Sequence, residues 1–270
     1  MWRIEELALG FASGVAQGVF EWLPVSSKTI LLFIFYWFGT PPSQAYFIGL
    51  FLNGSTAAAA ALYFRRDLVE ALRGLYEAKS RGRLLLAFLI VSTLATGVTA
   101  IPLASLAAEA LSSLGRFSMI LIAILFSALT IILWIEEKLG EKKRGSRSLK
   151  LSDGILAGLA QGFSALPGMS RSGLTIFALL ALGYEPSEAV KLSFLMSIPA
   201  TIGGSLYTYL LHRGTITTIS TEILAVSIIT ALTISILTIA TLIKLSQKIK
   251  PHLFTLTLAI ISLATALLQT

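Results

Sequence analysis

The chain has 270 residues, of which 55% are hydrophobic and only 13% charged, with a formal charge of +7. Its mean hydropathy is +0.83. A soluble domain carries roughly 25% charged residues, so this chain has too little polar surface to cover a soluble globule. The absence of cysteine excludes disulfides, thiolate catalysis and cysteine-based metal sites.

Apolar runs of about 20 residues recur along the whole chain, each long enough to cross ~30 Å of hydrocarbon as a helix. They lack the alternation of a membrane β-barrel. The fold class expected is therefore an all-α polytopic membrane protein, a single membrane domain over 1–270. In chain order, a first apolar stretch, 4–38, is broken at Leu23-Pro24-Val25-Ser26-Ser27. Spans are predicted at 44–64, 84–104 and 116–135, followed by a basic segment, 136–150. A second broken stretch, 151–184, carries Leu166-Pro167-Gly168-Met169-Ser170-Arg171-Ser172-Gly173, and spans follow at 188–211, 222–243 and 252–269. Proline removes a backbone donor and clashes with the preceding turn, so each broken stretch reads as two half-helices around an elbow. Non-helical backbone at membrane depth is tolerated only where it is buried in protein or lines a wet cavity.

The two halves repeat each other. Gly14-Val15-Ala16-Gln17-Gly18 returns as Gly158-Leu159-Ala160-Gln161-Gly162, Leu23-Pro24 as Leu166-Pro167, and Pro42-Ser43-Gln44-Ala45 as Pro186-Ser187-Glu188-Ala189. The offset stays at 143 or 144 residues, which argues for an internal duplication, with one copy over about 1–135 and the other over about 151–270. Each copy holds one re-entrant hairpin and three spans. An odd number of spans inverts the second copy, giving an inverted-topology repeat of six transmembrane helices and two re-entrant hairpins, with its site near the midplane. Loop charges agree. Fifteen of the 21 Lys and Arg fall in the loops 65–83, 136–150 and 244–251, all on one side of this topology, against Arg3, Arg116 and Arg213 on the other. The positive-inside rule makes the rich side cytoplasmic and both termini external, in a multi-pass protein of the cell membrane. Orientation and headgroup contacts account for these charges, so no nucleic acid partner is expected.

Three groups of residues can carry chemistry. Gln17 and Glu21, four apart, share one helical face just before the first elbow. A carboxylate with an amide oxygen suits a hard divalent cation held largely by water and phosphate; the blander roles for Glu21 are an interfacial position or a pairing with Lys28. Ser170-Arg171-Ser172-Gly173 opens the apolar run that follows it, so a helix starting there offers free amides, hydroxyls and the positive end of its dipole to an anion. Arg171 adds a guanidinium fork matched to phosphate oxygens, unless it snorkels to headgroups. Ser26 and Ser27 are either helix caps or, with Glu21 as base, nucleophiles.

At these residues the chain resembles the undecaprenyl-diphosphatase, or bacitracin-resistance, family. The resemblance rests on Gln17-Gly18-x-x-Glu21-x-Leu23-Pro24-Val25-Ser26-Ser27 in the first elbow and Pro167-Gly168-x-Ser170-Arg171-Ser172-Gly173 in the second. It implies hydrolysis of a polyprenyl diphosphate to the monophosphate at the outer membrane face with a divalent cation, Mg²⁺ or Ca²⁺. Glu21, Ser27 and Arg171 would be catalytic, Ser26, Ser170, Ser172 and Gly173 would bind phosphate, and Gln17 and Glu21 would hold the metal. The partners implied are the polyprenyl diphosphate and membrane lipids, with a homodimer left open. The family pattern continues Ser-Ser-x-Gly-His, whereas here Thr29 and Ile30 follow Lys28. Isoleucine transfers no proton, so either Glu21 is the only base, or this member is slow, or it binds and moves its lipid without cleaving it. Restoring His at position 30 is expected to raise activity if the geometry of the elbow is intact. The rival expectation is a flippase that moves a polyprenyl phosphate without cleaving it.

Overall fold

The computed structural model of the protein describes residues 2–77, 80–114, 117–138, 149–246 and 251–268. Every element among them is helical. Helix α1 (Trp2–Phe20) enters an elbow of turns, and α2 (Ser27–Trp37) leaves it. Helix α3 (Pro42–Leu52), a 3-10 turn (Asn53–Thr56) and α4 (Ala57–Tyr63) continue as one apolar stretch, Pro42–Tyr63. A short α5 (Arg65–Arg73) follows, then α6 (Arg81–Leu114) and α7 (Ser118–Lys138). In the second half α8 (Leu151–Gly162) reaches its elbow through a 3-10 turn (Phe163–Ala165), and α9 (Arg171–Ala181) leaves it. Then come α10 (Pro186–Leu211), a single turn α11 (Arg213–Ile216), α12 (Thr221–Ser246) and α13 (Pro251–Leu268).

Five helices among the described residues are long and apolar enough to cross a membrane: Pro42–Tyr63, Arg81–Leu114, Ser118–Ile135, Pro186–Leu211 and Thr221–Lys244. The sixth expected span, 252–269, is helical over Pro251–Leu268, but its apolar stretch is the shorter Thr255–Leu267. The basic segment 136–150 lies mostly outside the described residues, as do Lys79, Arg116, Lys248 and Lys250. The loop 65–83 was expected as a connection. Much of it is α5, tied down by an ion pair of Asp67 with Lys191 at 2.5 Å and by one of Glu70 with Arg81.

Helices α2 and α9 have 11 residues each, about 16 Å of helix and roughly half the hydrocarbon thickness. Both end on the same turn. Gly39 and Gly183 adopt positive φ, 88° and 91°. Thr40 N–H donates to Phe35 and Gly39 N–H to Tyr36, and in the second half Tyr184 donates to Leu179 and Gly183 to Leu180. This is a Schellman close, and it needs a residue free to enter the left-handed region. Pro42 and Pro186 then start the next helices.

Glycines every four residues give α1 and α8 a face without side chains. On α1 a Cβ at Gly14 would lie 2.6 Å from Thr230 Cβ, and Gly10 and Gly18 press on α12 in the same way. On α8 a Cβ at Gly158 would lie 2.3 Å from Ser92 O, with Gly154 and Gly162 against α6. Small residues at such spacing let helix backbones approach where lipid supplies no hydrophobic drive. The first half's α1 therefore packs on the second half's α12, and the second half's α8 on the first half's α6. This crossed pairing brings the two elbows against each other.

Candidate active site

The elbows meet tip to tip. Gly168 N–H donates to Thr29 Oγ1 at 2.8 Å, Ser26 Oγ to Met169 O at 3.1 Å, and Ser172 Oγ to Leu23 O at 3.2 Å. Lys28 Nζ donates to Leu166 O at 3.0 Å and also to Ser164 O. Trp22, with 1% of its surface exposed, packs on Phe194 behind the first elbow. Thus every open backbone group that these bonds reach is paired by the opposite elbow, which is how irregular backbone survives in an apolar interior.

Glu21 is the centre of the polar groups. Its Oε2 accepts from Ser27 Oγ at 2.6 Å and from Gln17 Nε2 at 2.9 Å, and its Oε1 pairs with Arg171 Nη2 at 2.6 Å. The ion pair is nearly dry, the Arg171 and Glu21 side chains being 11% and 4% exposed. Arg171 is held from behind by Ser193 O at 3.4 Å and lies over the Phe194 ring, 5.5 Å from its centroid. Its Nε is buried without a hydrogen-bond partner among the described residues. Arg171 therefore does not snorkel, and Glu21 makes its direct ion pair with Arg171 rather than with Lys28, whose ammonium donates to the second elbow's carbonyls.

A cavity of about 220 Å³ opens beside this cluster, and Glu21, Ser26, Ser27, Ser170, Arg171 and Ser172 all line it. Ser26 holds φ 67°, a left-handed backbone with no glycine to excuse it, and makes no cap to α2. A polar residue kept in that region by its neighbours is a mark of a functional turn. Ser170 does cap α9, accepting from Gly173 N–H at 3.2 Å. Two expected residues stand elsewhere. Gly173 spends its amide on that cap and faces α7, where a Cβ would lie 3.2 Å from Leu133 Cδ2. Gln17 is wholly buried behind Glu21 and orients it rather than reaching the cavity. Ile30 is also off the cavity wall; it packs on the apolar cluster around α2, α3 and α7.

Other residues were missed in the sequence. Asn53 and Gln161 line the cavity, and Asn53 Oδ1 and Gln161 Oε1 are buried without partners among the described residues. Gln161 is the second copy's counterpart of Gln17, so the repeat itself carried the signal. Lys28, a cation inside an apolar run, was signal enough for a role but not for which one. No three Asp, Glu, His or Cys gather among the described residues. The cavity offers one carboxylate beside hydroxyl and amide oxygens, a donor set that fits a hard divalent cation keeping most of its water and taking phosphate for the rest.

The family described as Bacitracin resistance protein BacA matches residues 10–264. A Saccharolobus islandicus protein (strain M.14.25 / Kamchatka #1) named Undecaprenyl-diphosphatase is 37% identical over 254 residues, 92% of this chain and 91% of the relative. Proteins of the same name from Saccharolobus solfataricus and Pyrobaculum aerophilum are also similar. The first is 36% identical over 270 residues, 97% of this chain and 96% of its own. The second is 34% identical over 267 residues, 98% of each chain. A match of this extent, on a chain whose two elbows converge on one cavity, leaves one assignment: the protein belongs to the BacA, bacitracin resistance, family.

Proposed function

We infer that the protein is an undecaprenyl-diphosphatase, an integral membrane hydrolase that converts the diphosphate lipid to its monophosphate and inorganic phosphate. The relatives carry that activity in their names, and one observation gives it chemistry here: Ser27 Oγ donates directly to Glu21 Oε2 at 2.6 Å on the wall of the cavity. A nucleophile within hydrogen-bond reach of its base, with the base oriented by a third group, is the arrangement that activates a hydroxyl. Ser27 Oγ attacks the terminal phosphorus and passes its proton to Glu21. The bond from that phosphorus to the bridging oxygen breaks, and the prenyl monophosphate leaves. Glu21 hands that proton to the departing monophosphate and is a base again. Water then cleaves the phosphoserine, and Glu21 takes the water's proton and passes it to Ser27 Oγ as inorganic phosphate leaves. Arg171, aimed at the same carboxylate, holds the charge that develops on the phosphates, with Ser170 beside it; Ser26 and Ser172 donate to phosphate only by turning from Met169 O and Leu23 O. Fixed charge of this kind supplies most of phosphoryl-transfer catalysis. Glu21, with Gln17 behind it, would hold a divalent cation, Mg²⁺ or Ca²⁺, whose contribution when bound is to neutralise phosphate charge.

The reading of the fold as an inverted repeat goes with this function. It is supported by the matched closes at Gly39 and Gly183, the matched starts at Pro42 and Pro186, and the crossed pairing of α1 with α12 and α8 with α6. With six spans and the basic loops in the cytoplasm, both termini face outward and the first elbow enters from outside. The Ser27–Glu21 contact and the relatives' shared name favour hydrolysis over transport. The test is phosphate release from undecaprenyl diphosphate by the purified protein in detergent, with and without Mg²⁺. No release under either condition, with lipid binding intact, removes the hydrolase reading.

A further inference from the structure

The cavity's lining extends beyond the groups that would hold a diphosphate. Beyond the Glu21–Arg171 cluster its walls include Gly97, Ala100 and Ala104 on α6 and Ala200, Gly203 and Gly204 on α10, beside Ile101 and Tyr207. Glycine inside a helix weakens it, so it persists where something requires the missing side chain. On α1 and α8 that requirement is a partner helix, as at Gly14 and Gly158. At Gly97 and Gly203 it is not: a Cβ at either position would meet nothing within 4 Å. A Cβ at Gly204 would meet only the Leu50 side chain, at 3.4 Å or more. Gly97 and Gly203 therefore seat no neighbouring helix, and the space beside them is open. Gly203 is exposed, so the passage reaches the outside of the protein between α6 and α10, below the Ser105–Tyr207 hydrogen bond of 3.1 Å that joins those helices.

A second observation points to a ligand in the cavity. Thr96 Oγ1 has one proton, and it goes to main-chain oxygen of Ser92 or Gly158. Gln161 must then present its amide nitrogen to Thr96, at 2.9 Å, which turns Oε1 the other way. That oxygen has no partner among the described residues, although Gln161 lines the cavity and is 1% exposed. A buried acceptor left unmet is costly, and a hydrated head group entering the cavity brings it a donor.

We propose that Gly97 and Gly203 form the two sides of a prenyl-chain channel, and that their lack of side chains sets which lipid diphosphates can be hydrolysed. The proposal rests on the hydrolase reading above and adds the part of the substrate remote from the phosphates. An isoprenoid chain is apolar and slender, and the apolar, small-residue wall fits it. The cavity mouth lets the remainder of a long chain lie between the helices and lipid.

The test compares undecaprenyl diphosphate with isopentenyl diphosphate, whose chain is a single isoprene unit. Gly97→Leu and Gly203→Leu should each lower kcat/KM for the long substrate by about 10–100-fold, the scale on which a filled pocket discriminates, and leave the ratio for the short one unchanged. Gly97→Ala and Gly203→Ala should raise Tm, because the helix gains and the added methyl meets nothing within 4 Å. An independent arm uses a prenyl diphosphate carrying benzophenone on its chain. It should label 93–104 and 199–207 in the wild type and lose that labelling in the leucine variants. Equal loss for both substrates, or labelling elsewhere, overturns the channel. If the wild type releases no phosphate from either substrate, the hydrolase reading fails, and the labelling arm alone decides the channel.

Discussion

Arg171 and Glu21, 150 residues apart in the chain, meet as a buried ion pair at 2.6 Å, so each elbow supplies the charge that makes the other's tolerable. Removing one partner leaves a buried charge uncompensated, at about 3–5 kcal/mol. Arg171→Ala should therefore lower Tm as well as abolish turnover, whereas the double change with Glu21→Gln should recover part of the Tm without activity. Thermal unfolding in detergent beside a phosphate-release assay checks both; full additivity of the two Tm losses would contradict the pairing.

Glu21→Gln alone keeps the shape of the side chain and its contacts with Gln17 and Ser27 but removes the base. Turnover should fall about 10²–10⁴-fold, with a much smaller change in the affinity for undecaprenyl diphosphate. A Ser27→Ala variant should fall at least as far. Retention of activity by Glu21→Gln would show that the proton goes elsewhere.

Ile30→His restores the residue that the family pattern carries, and the structure reverses the outcome expected from sequence. Ile30 packs on the apolar cluster and is not on the cavity wall. An imidazole there would sit among Leu, Ile and Phe side chains, with a desolvation cost of about 1–3 kcal/mol. The variant should melt earlier and gain no activity. A rise in kcat would mean that the first elbow turns during catalysis.

Lys28→Met removes the clamp on Ser164 and Leu166 carbonyls. A carbonyl left unpaired in the interior costs about 1–3 kcal/mol; that falls on Ser164 O, since Leu166 O keeps the Met169 N–H at 3.3 Å. The second elbow should loosen, seen as faster amide exchange over 164–170, while Glu21 and Ser27 keep their own contacts.

Gly158→Leu should be among the most damaging single changes in the chain, because the added side chain meets the Ser92 main chain and Ala95. Overpacking of this kind costs about 1–3 kcal/mol or more. Loss of Tm should match that of Gly14→Leu, the corresponding change on the other seam.

Much of this was legible in the residues. Pro24 and Pro167 mark breaks because proline cannot continue a helix through them, and the two copies of Gly-x-x-Gln-Gly make the elbows counterparts. Glu21, Ser27 and Arg171 were expected together, and they are. What could not be read was how each helix is rotated about its axis. Gln17 lies behind Glu21 and Gly173 faces Leu133 because α1 and α9 are turned by contacts with distant helices, which a local motif does not encode. The same holds for Ile30, where the family pattern pointed toward the reaction and the packing points away. Helix α5 was hidden by its own composition: five of the residues in 65–83 that drew attention were arginines, and their charge masked the helical spacing of Val69 and Leu72.

The glycine seams also bear on how the chain is made. Ser13 and Ser227 touch at 2.8 Å across 214 residues, so the partner of the first helix to leave the ribosome is among the last. Until α12 arrives, the groove on α1 has no occupant, although the second elbow, which precedes α12 in the chain, is already made. The N-terminal half must therefore wait in the bilayer, unfinished, for the translation of the C-terminal half. A chain truncated before residue 221 would present that waiting state to the quality-control proteases of the membrane.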